Sequence, residues 1–301
     1  MALELDDKLV VGISSRALFD LEEENEIFEK EGLKAYSKYQ IEHENDILKP
    51  GTAFPLIKAL HKLNTDGNYR TEIIVMSKNS ADTSLRIFKS IEHYGLNISR
   101  AALVGGNFIA PYLNAFRTDL FLSANEEDVQ EAINANIAAG IICSHSGVPI
   151  NSDEDISQIR IAFDGDAVIF SDEAEKIYQE KGLEAFAEHE YRNAKKPLPA
   201  GPFAKLLKTI SAIQRQYSEG EAPIRTALVT ARNAPAHERV VRTLRAWDVR
   251  IDEAFFLGGV NKSEVLKAFD ANIFFDDQQT HIEPASKVVP AARVPYKQEK
   301  E

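Results

Sequence analysis

Cysteine is almost missing from this chain. One residue of 301, Cys143, carries a thiol, so a single chain can build neither an internal disulfide nor a thiolate metal cluster. A basic surplus is missing as well. Lys and Arg number 35 against 47 Asp and Glu, a net charge of −12, which counts against nucleic-acid binding because that needs a basic face. A phosphorylated substrate stays open, since a cation or a local basic pocket can offset the field. No apolar run reaches membrane-spanning length, and the start, MALELDDKLVVG, has neither a basic segment nor a long apolar core. The expectation is no signal peptide, no membrane segment and a cytoplasmic location. The seven histidines show no ligand spacing; His189, His237 and His281 read as surface or loop residues.

What is present is ordinary for a folded domain: 44% hydrophobic and 27% charged residues, with enough length for one large core or two smaller ones. One stretch is not ordinary. Ile159 to Glu175 reads IRIAFDGDAVIFSDEAE. An apolar run delivers Asp164 and Asp166, separated by Gly165. Side chains alternate along a strand, so carboxylates two apart at its end point the same way. Placing both there is costly unless a cation or a reaction uses them.

The chain also repeats itself. Val11–Asp20 sets over Ile161–Phe170, placing Ser14 on Asp164 and Arg16 on Asp166, and Glu26–Tyr36 continues over Lys176–Phe186 without a gap. Lys49-Pro50-Gly51 matches Pro199-Ala200-Gly201, and Ile74–Asn79 matches Leu228–Asn233. A last block pairs Gly105-Gly106 with Gly258-Gly259 and Leu120–Asn125 with Ile273–Gln278. Blocks in one order argue for tandem duplication, with halves at 1–146 and 157–301 and a polar linker over Ser144–Ile156. The halves differ where chemistry would sit. Asp164, Asp166, Thr230, Lys262, Asp276 and Asp277 face Ser14, Arg16, Met76, Ile109, Ser123 and Ala124. The first half reads as degenerate: scaffold without the charged set.

Short apolar segments alternate with amphipathic ones in both halves. Strands are expected at 9–13, 71–76, 100–104 and 119–122, and again at 159–163, 225–229, 253–257 and 271–275. Helices are expected at 236–247 and 262–269. The pattern predicts an α/β fold, two Rossmann-like halves with parallel sheets covered by helices. Right-handed crossovers collect the strand C-terminal ends at one edge, which would bring Asp164, Thr230, Gly258-Gly259 and Asp276 together. Glu188–Pro202 reads as an inserted loop or small cap, and Ala291–Glu301 as a polar, poorly ordered tail.

A carboxylate at a strand end can attack phosphorus, and Asp164 is the candidate nucleophile. Asp166 can protonate the leaving alkoxide and then activate water. Mg²⁺ takes oxygen ligands and would neutralise the phosphate, with Asp276 and Asp277 in its cage. Thr230 and Lys262 suit equatorial phosphate oxygens.

The set Asp164-x-Asp166-x-Val168, Thr230, Lys262 and Asp276-Asp277 resembles the motifs of the haloacid-dehalogenase superfamily. Phe163–Glu173 together with Ser14–Phe19 resembles the cytosolic 5′-nucleotidase I family, over nearly the whole chain. The resemblance implies Mg²⁺-dependent hydrolysis of nucleoside 5′-monophosphates, AMP being typical, with metal at Asp164, Asp166 (through its backbone carbonyl), Asp276 and Asp277. The competing reading is a related phosphatase or phosphotransferase for another phosphomonoester such as a sugar phosphate. Between Asp276 and Asp277 the favoured reading has Asp277 capping or bonding the loop while Asp276 binds the metal. Arg232 and Asn233 either touch substrate or only start a helix. Lys195 and Lys196 read as solvated, and Phe186 and Trp247 as core. Arg16, standing where the second half has a carboxylate, suggests an anion pocket for substrate or a nucleotide effector; the alternative is a structural half. A homo-oligomer stays open.

Overall fold

The computed structural model describes residues 5, 7–64, 68–143, 150, 156–218 and 220–298. Ten strands lie among them: β1 Leu9–Ile13, β2 Thr71–Ser77, β3 Arg100–Leu103, β4 Leu120–Ser123, β5 Ala138–Ile142, β6 Ile159–Phe163, β7 Ile224–Thr230, β8 Glu253–Phe256, β9 Ile273–Asp276 and β10 Ala291–Arg293. They make one sheet in the order β3-β2-β1-β4-β5-β10-β9-β6-β7-β8. All pairings are parallel except the central one, β5 with β10. Outward from that seam the order is 5-4-1-2-3 on one side and 10-9-6-7-8 on the other.

The central strands are buried along their length, β1 and β9 at every position. That pattern, apolar without alternation, belongs to a sheet covered on both faces. Phe163, Phe203 and Phe275 pack as one aromatic group beneath the end of β6, with centroids 4.8–6.0 Å apart. The seam needs a residue without a side chain: a Cβ on Gly140 would stand 2.8 Å from that of Ala292.

All eight expected strands form, β1 and β6 with the expected ends and the other six with one or both ends moved by one or two residues. The sequence reading missed β5 and β10. Strand β10 lies in the segment read as a poorly ordered tail; Ala291 and Ala292 are buried there. Three residues, Ala-Ala-Arg, are too few to carry a recognisable period, and only their partners, β9 and β5, make them a strand. The expected linker falls at 144–149 and 151–155, outside the described residues.

Glu188–Pro202 divides in two. Its start is the last turn of a helix, Glu173–Arg192, broken at Gly182 with φ of 81°. Its remainder is tied to the helix His237–Ala246: Arg239 Nε donates to the Lys196 carbonyl and Leu198 N to Thr243 Oγ1. The first half makes the same two bonds, from Arg86 Nε to the Asp46 carbonyl and from Leu48 N to Ser90 Oγ. Gly51 N and Gly201 N both donate at 2.9 Å to the loop following the first strand of their half. One alignment shifts. Thr230 faces Ser77 rather than Met76, because each ends its strand and each hydroxyl accepts the amide two residues on.

Candidate active site

The site lies at the C-terminal edge of β6, β7 and β9. Asp164 follows β6, its amide held by the Phe275 carbonyl of the neighbouring strand at 2.8 Å. The chain then turns abruptly: Ala167 takes a left-handed φ of 59°, unusual for a residue with a side chain. At Gly165 an added Cβ would lie 3.3 Å from Thr230 Oγ1. The glycine therefore lets the loop pass against the end of β7.

Lys262 precedes the helix Ser263–Phe269 and reaches back between two strand ends. Its Nζ donates to Asp164 Oδ1 at 2.5 Å and to Asp276 Oδ2 at 2.6 Å. All three side chains are buried. Burial works against the lysine's charge, but the two carboxylates outweigh it and raise its pKa above the ordinary lysine value. Burial pushes Asp164 up to about 7 despite that lysine. Asp276 is also opposed by burial, yet His281 and Lys262 together hold it below the usual carboxylate range. Asp277 is raised by burial, with Asp164 adding to it, to about 8.

Carboxylate oxygens of Asp164, Asp276 and Asp277 lie within 4.8 Å of one another. Asp277 Oδ1 is buried with no hydrogen-bond partner, while its other oxygen accepts from the Tyr296 hydroxyl. Such a cluster of hard oxygen donors, one of them orphaned, fits a hard divalent cation. The loop bond that the sequence assigned to Asp277 is made by Asp276, whose Oδ1 accepts from Gln278 N at 2.9 Å.

Asp166 points elsewhere. Arg232 grips both its oxygens, Nε to Oδ2 at 2.8 Å and Nη2 to Oδ1 at 2.6 Å. The same guanidinium donates to Glu190, which also accepts from Arg239 at 2.7 Å. Arg232 is 2% exposed and lies under the Phe186 ring at 5.3 Å. Burial opposes its charge, and Asp166 and Glu190 more than compensate, raising its pKa. Arg232 therefore faces the Asp166 loop, while Asn233 and Lys195 and Lys196 are exposed. Arg16 lies in the other half, paired with Glu22 at 3.1 Å.

The sequence reading overlooked His281, Tyr296, Glu190 and Phe186 in these roles. His281 Nδ1 stands 3.2 Å from both oxygens of Asp276. Glu190 carried a signal: it faces Gln40 in the repeat, a charge gained in the second half like the others. Tyr296 had none, lying in the supposed tail. Trp247 is partly buried and packs against the core, 5.6 Å from Phe170.

Among the described residues no helix is long and apolar enough to cross a membrane. No solved structure matches the chain. A human protein, "Cytosolic 5'-nucleotidase 1B", is 40% identical over 292 residues, covering 93% of this chain and 47% of its own length. The chain thus spans about half the length of that relative. The family profile described as 5'-nucleotidase matches residues 1–301, so the carboxylate cluster and the scaffold that holds it are those of a member of the 5'-nucleotidase family.

Proposed function

We propose that this chain hydrolyses nucleoside 5′-monophosphates, AMP among them, to nucleoside and inorganic phosphate through an aspartyl-phosphate on Asp164. The observation that carries the reading is the buried junction of Asp164, Lys262, Asp276 and Asp277 at adjacent strand ends. Mg²⁺ would be held by Asp164, Asp276 and Asp277, and, as the family resemblance implies, by the backbone carbonyl of Asp166. When bound, it supplies positive charge against the phosphate and the carboxylates.

Asp164 attacks phosphorus, and the bond from phosphorus to the 5′ oxygen breaks. The leaving oxygen takes a proton from the Asp166 carboxyl. Water then attacks phosphorus, giving its proton to Asp166, and the bond to Asp164 breaks, restoring the enzyme. Both Asp166 oxygens accept from Arg232, so each proton transfer needs one of those bonds to open. Lys262 orients Asp164 and stabilises phosphate charge; Thr230, beside Gly165, offers a hydroxyl to the same group. Arg232 is a positioning residue for Asp166, and Asn233, exposed beside Gly258, is the substrate contact.

The fold reading goes with it: a duplicated haloacid-dehalogenase-like unit, a degenerate copy at 1–146 and the catalytic copy at 157–301. The matching strand orders on the two sides of the β5–β10 seam support this. We place the enzyme in the cytosol by likeness to the human relative. The test is a panel of nucleoside monophosphates and sugar phosphates, with Mg²⁺ or with EDTA. Nucleotides should lead in kcat/KM, EDTA should stop turnover, and Asp164→Asn should lower kcat by about 10³-fold or more. Preference for a sugar phosphate, or full activity of Asp164→Asn, overturns it.

A further inference from the structure

The first half holds a cavity of about 510 Å³ at the C-terminal ends of β1, β2 and β4, within the usual range for small-ligand sites. Its floor is built of hydroxyls. Ser14, Ser77 and Ser123 line it, and they occupy the positions that Asp164, Thr230 and Asp276 hold in the second half. The buried Ile109 stands where Lys262 does. Glu24, Glu127 and Asp128 also line the cavity, Glu24 paired with Arg86 and Asp128 with Lys78, but the floor has no carboxylate at the positions of Asp164 and Asp276, so a ligand resting on it meets no nucleophile equivalent to Asp164.

Two donors at the cavity lack acceptors. Arg16 Nε and Asn79 Nδ2 are both buried and without a hydrogen-bond partner. An unmet buried donor is costly, and it marks where an acceptor belongs. Arg16 keeps only its Nη2 on Glu22, so part of its fork is unused. Opposite this floor the wall is apolar and aromatic. Phe28, 47% exposed, meets the ring of Tyr36 edge-on at 5.9 Å, leaving a face on which a planar ring can stack. Tyr36 in turn donates to Asn79 at 2.9 Å, linking wall to floor.

We propose that this cavity is a non-hydrolytic binding site for a small ligand combining a planar ring with a phosphoryl group, a nucleotide in chemical class. The phosphoryl oxygens accept from Arg16 Nε and Asn79 Nδ2, and the ring lies against Phe28 and Tyr36. The phosphoryl part of the assignment rests on the proposed function, because it takes the equivalent floor of the second half as a phosphate site.

The test is calorimetric titration of the full chain with AMP in EDTA, where the acidic cluster of the second half repels phosphate. The Asp164→Asn chain is titrated in parallel, so the outcome does not depend on turnover. One equivalent of AMP is expected in both. Arg16→Ala should weaken it by about tenfold or more, the scale of a lost charge-assisted bond. Phe28→Ala, at a half-exposed position, should weaken it as well and keeps the test valid if Arg16→Ala unfolds. Adenosine and inorganic phosphate, titrated alone, should each bind at least tenfold more weakly than AMP. No binding in EDTA, affinity unchanged by both substitutions, or adenosine equal to AMP overturns the proposal. Failure of the phosphomonoester assay alone removes the hydrolytic reading and leaves this titration to stand by itself.

Discussion

Lys262 Nζ lies 2.5 Å from Asp164 Oδ1, bonding the end of one strand to a residue 98 positions later in the chain. The same ammonium reaches Asp276 at 2.6 Å, so one cation holds together two carboxylates that would otherwise repel. Breaking a buried pair by removing one partner leaves an uncompensated charge and costs about 3–5 kcal/mol. Lys262→Met should lower the stability of the metal-free protein on that scale and reduce kcat/KM by about 10²-fold or more. Mg²⁺ should restore much of the stability and little of the activity. Denaturant melts with and without Mg²⁺, beside steady-state kinetics, check both; a variant unchanged in either would contradict the role assigned to the lysine.

The acidic cluster makes stability depend on pH. Unfolded, Asp164 and Asp277 titrate near 3.8; folded, they lie at about 7 and about 8. Between those values the folded state keeps protons that the unfolded state has lost, so stability falls as pH rises from about 4 to about 8. Asp276, lowered in the fold, acts oppositely but only at the acid end, below its ordinary value. A bound cation displaces these protons and removes the penalty. The Tm of EDTA-treated protein should therefore fall between pH 5 and pH 8, and the gain in Tm from Mg²⁺ should be larger at pH 8. A Mg²⁺ effect independent of pH would exclude these carboxylates as the ligands.

Arg232 carries two carboxylates, the buried Glu190 and the partly buried Asp166, on one planar fork. A lysine offers a point charge and cannot reproduce that geometry. Arg232→Lys should lower kcat more than it raises KM, because Asp166 loses its orientation while the phosphate contacts stay. Arg232→Met should destabilise by about 3–5 kcal/mol, and adding Glu190→Gln should recover part of the loss. Strict additivity in that double-mutant cycle would show that the two residues are uncoupled.

Gly201 runs so close to the Asp164 loop that a Cβ would lie 2.3 Å from the Phe170 carbonyl oxygen and 2.6 Å from that of Val168. Backbone cannot yield as a flexible side chain can. Gly201→Ala should destabilise by about 1–3 kcal/mol and lower activity by shifting the loop. Gly51, whose added Cβ would meet backbone at 2.9 Å, should cost less and leave the Asp164 cluster intact. Equal activity losses from the two would show that the clash is not transmitted through the loop.

Much of this was legible in the sequence because blocks of its first half match blocks of its second. Apolar segments of four to six residues marked eight strands, and the contrast between the two matching halves of the sequence picked out Asp164, Thr230, Lys262, Asp276 and Asp277. Where that contrast was subtle it failed. Thr230 was set against Met76 when its counterpart is Ser77, because a gapless match cannot sense where a strand stops. Glu190 was passed over, although its opposite, Gln40, is uncharged.

By itself the sequence determined the parallel α/β architecture, since apolar period and glycine punctuation are local properties of the chain. It also determined which half of the chain carries the acidic set. The tertiary structure alone decided that both halves of the chain share one sheet, because the joining strand β10 is two alanines and an arginine that become a strand only between β5 and β9. It alone turned Asp166 toward Arg232 and Lys262 toward Asp164: a buried charge takes the partner that the fold brings within bonding distance, and sequence separation says nothing of that distance.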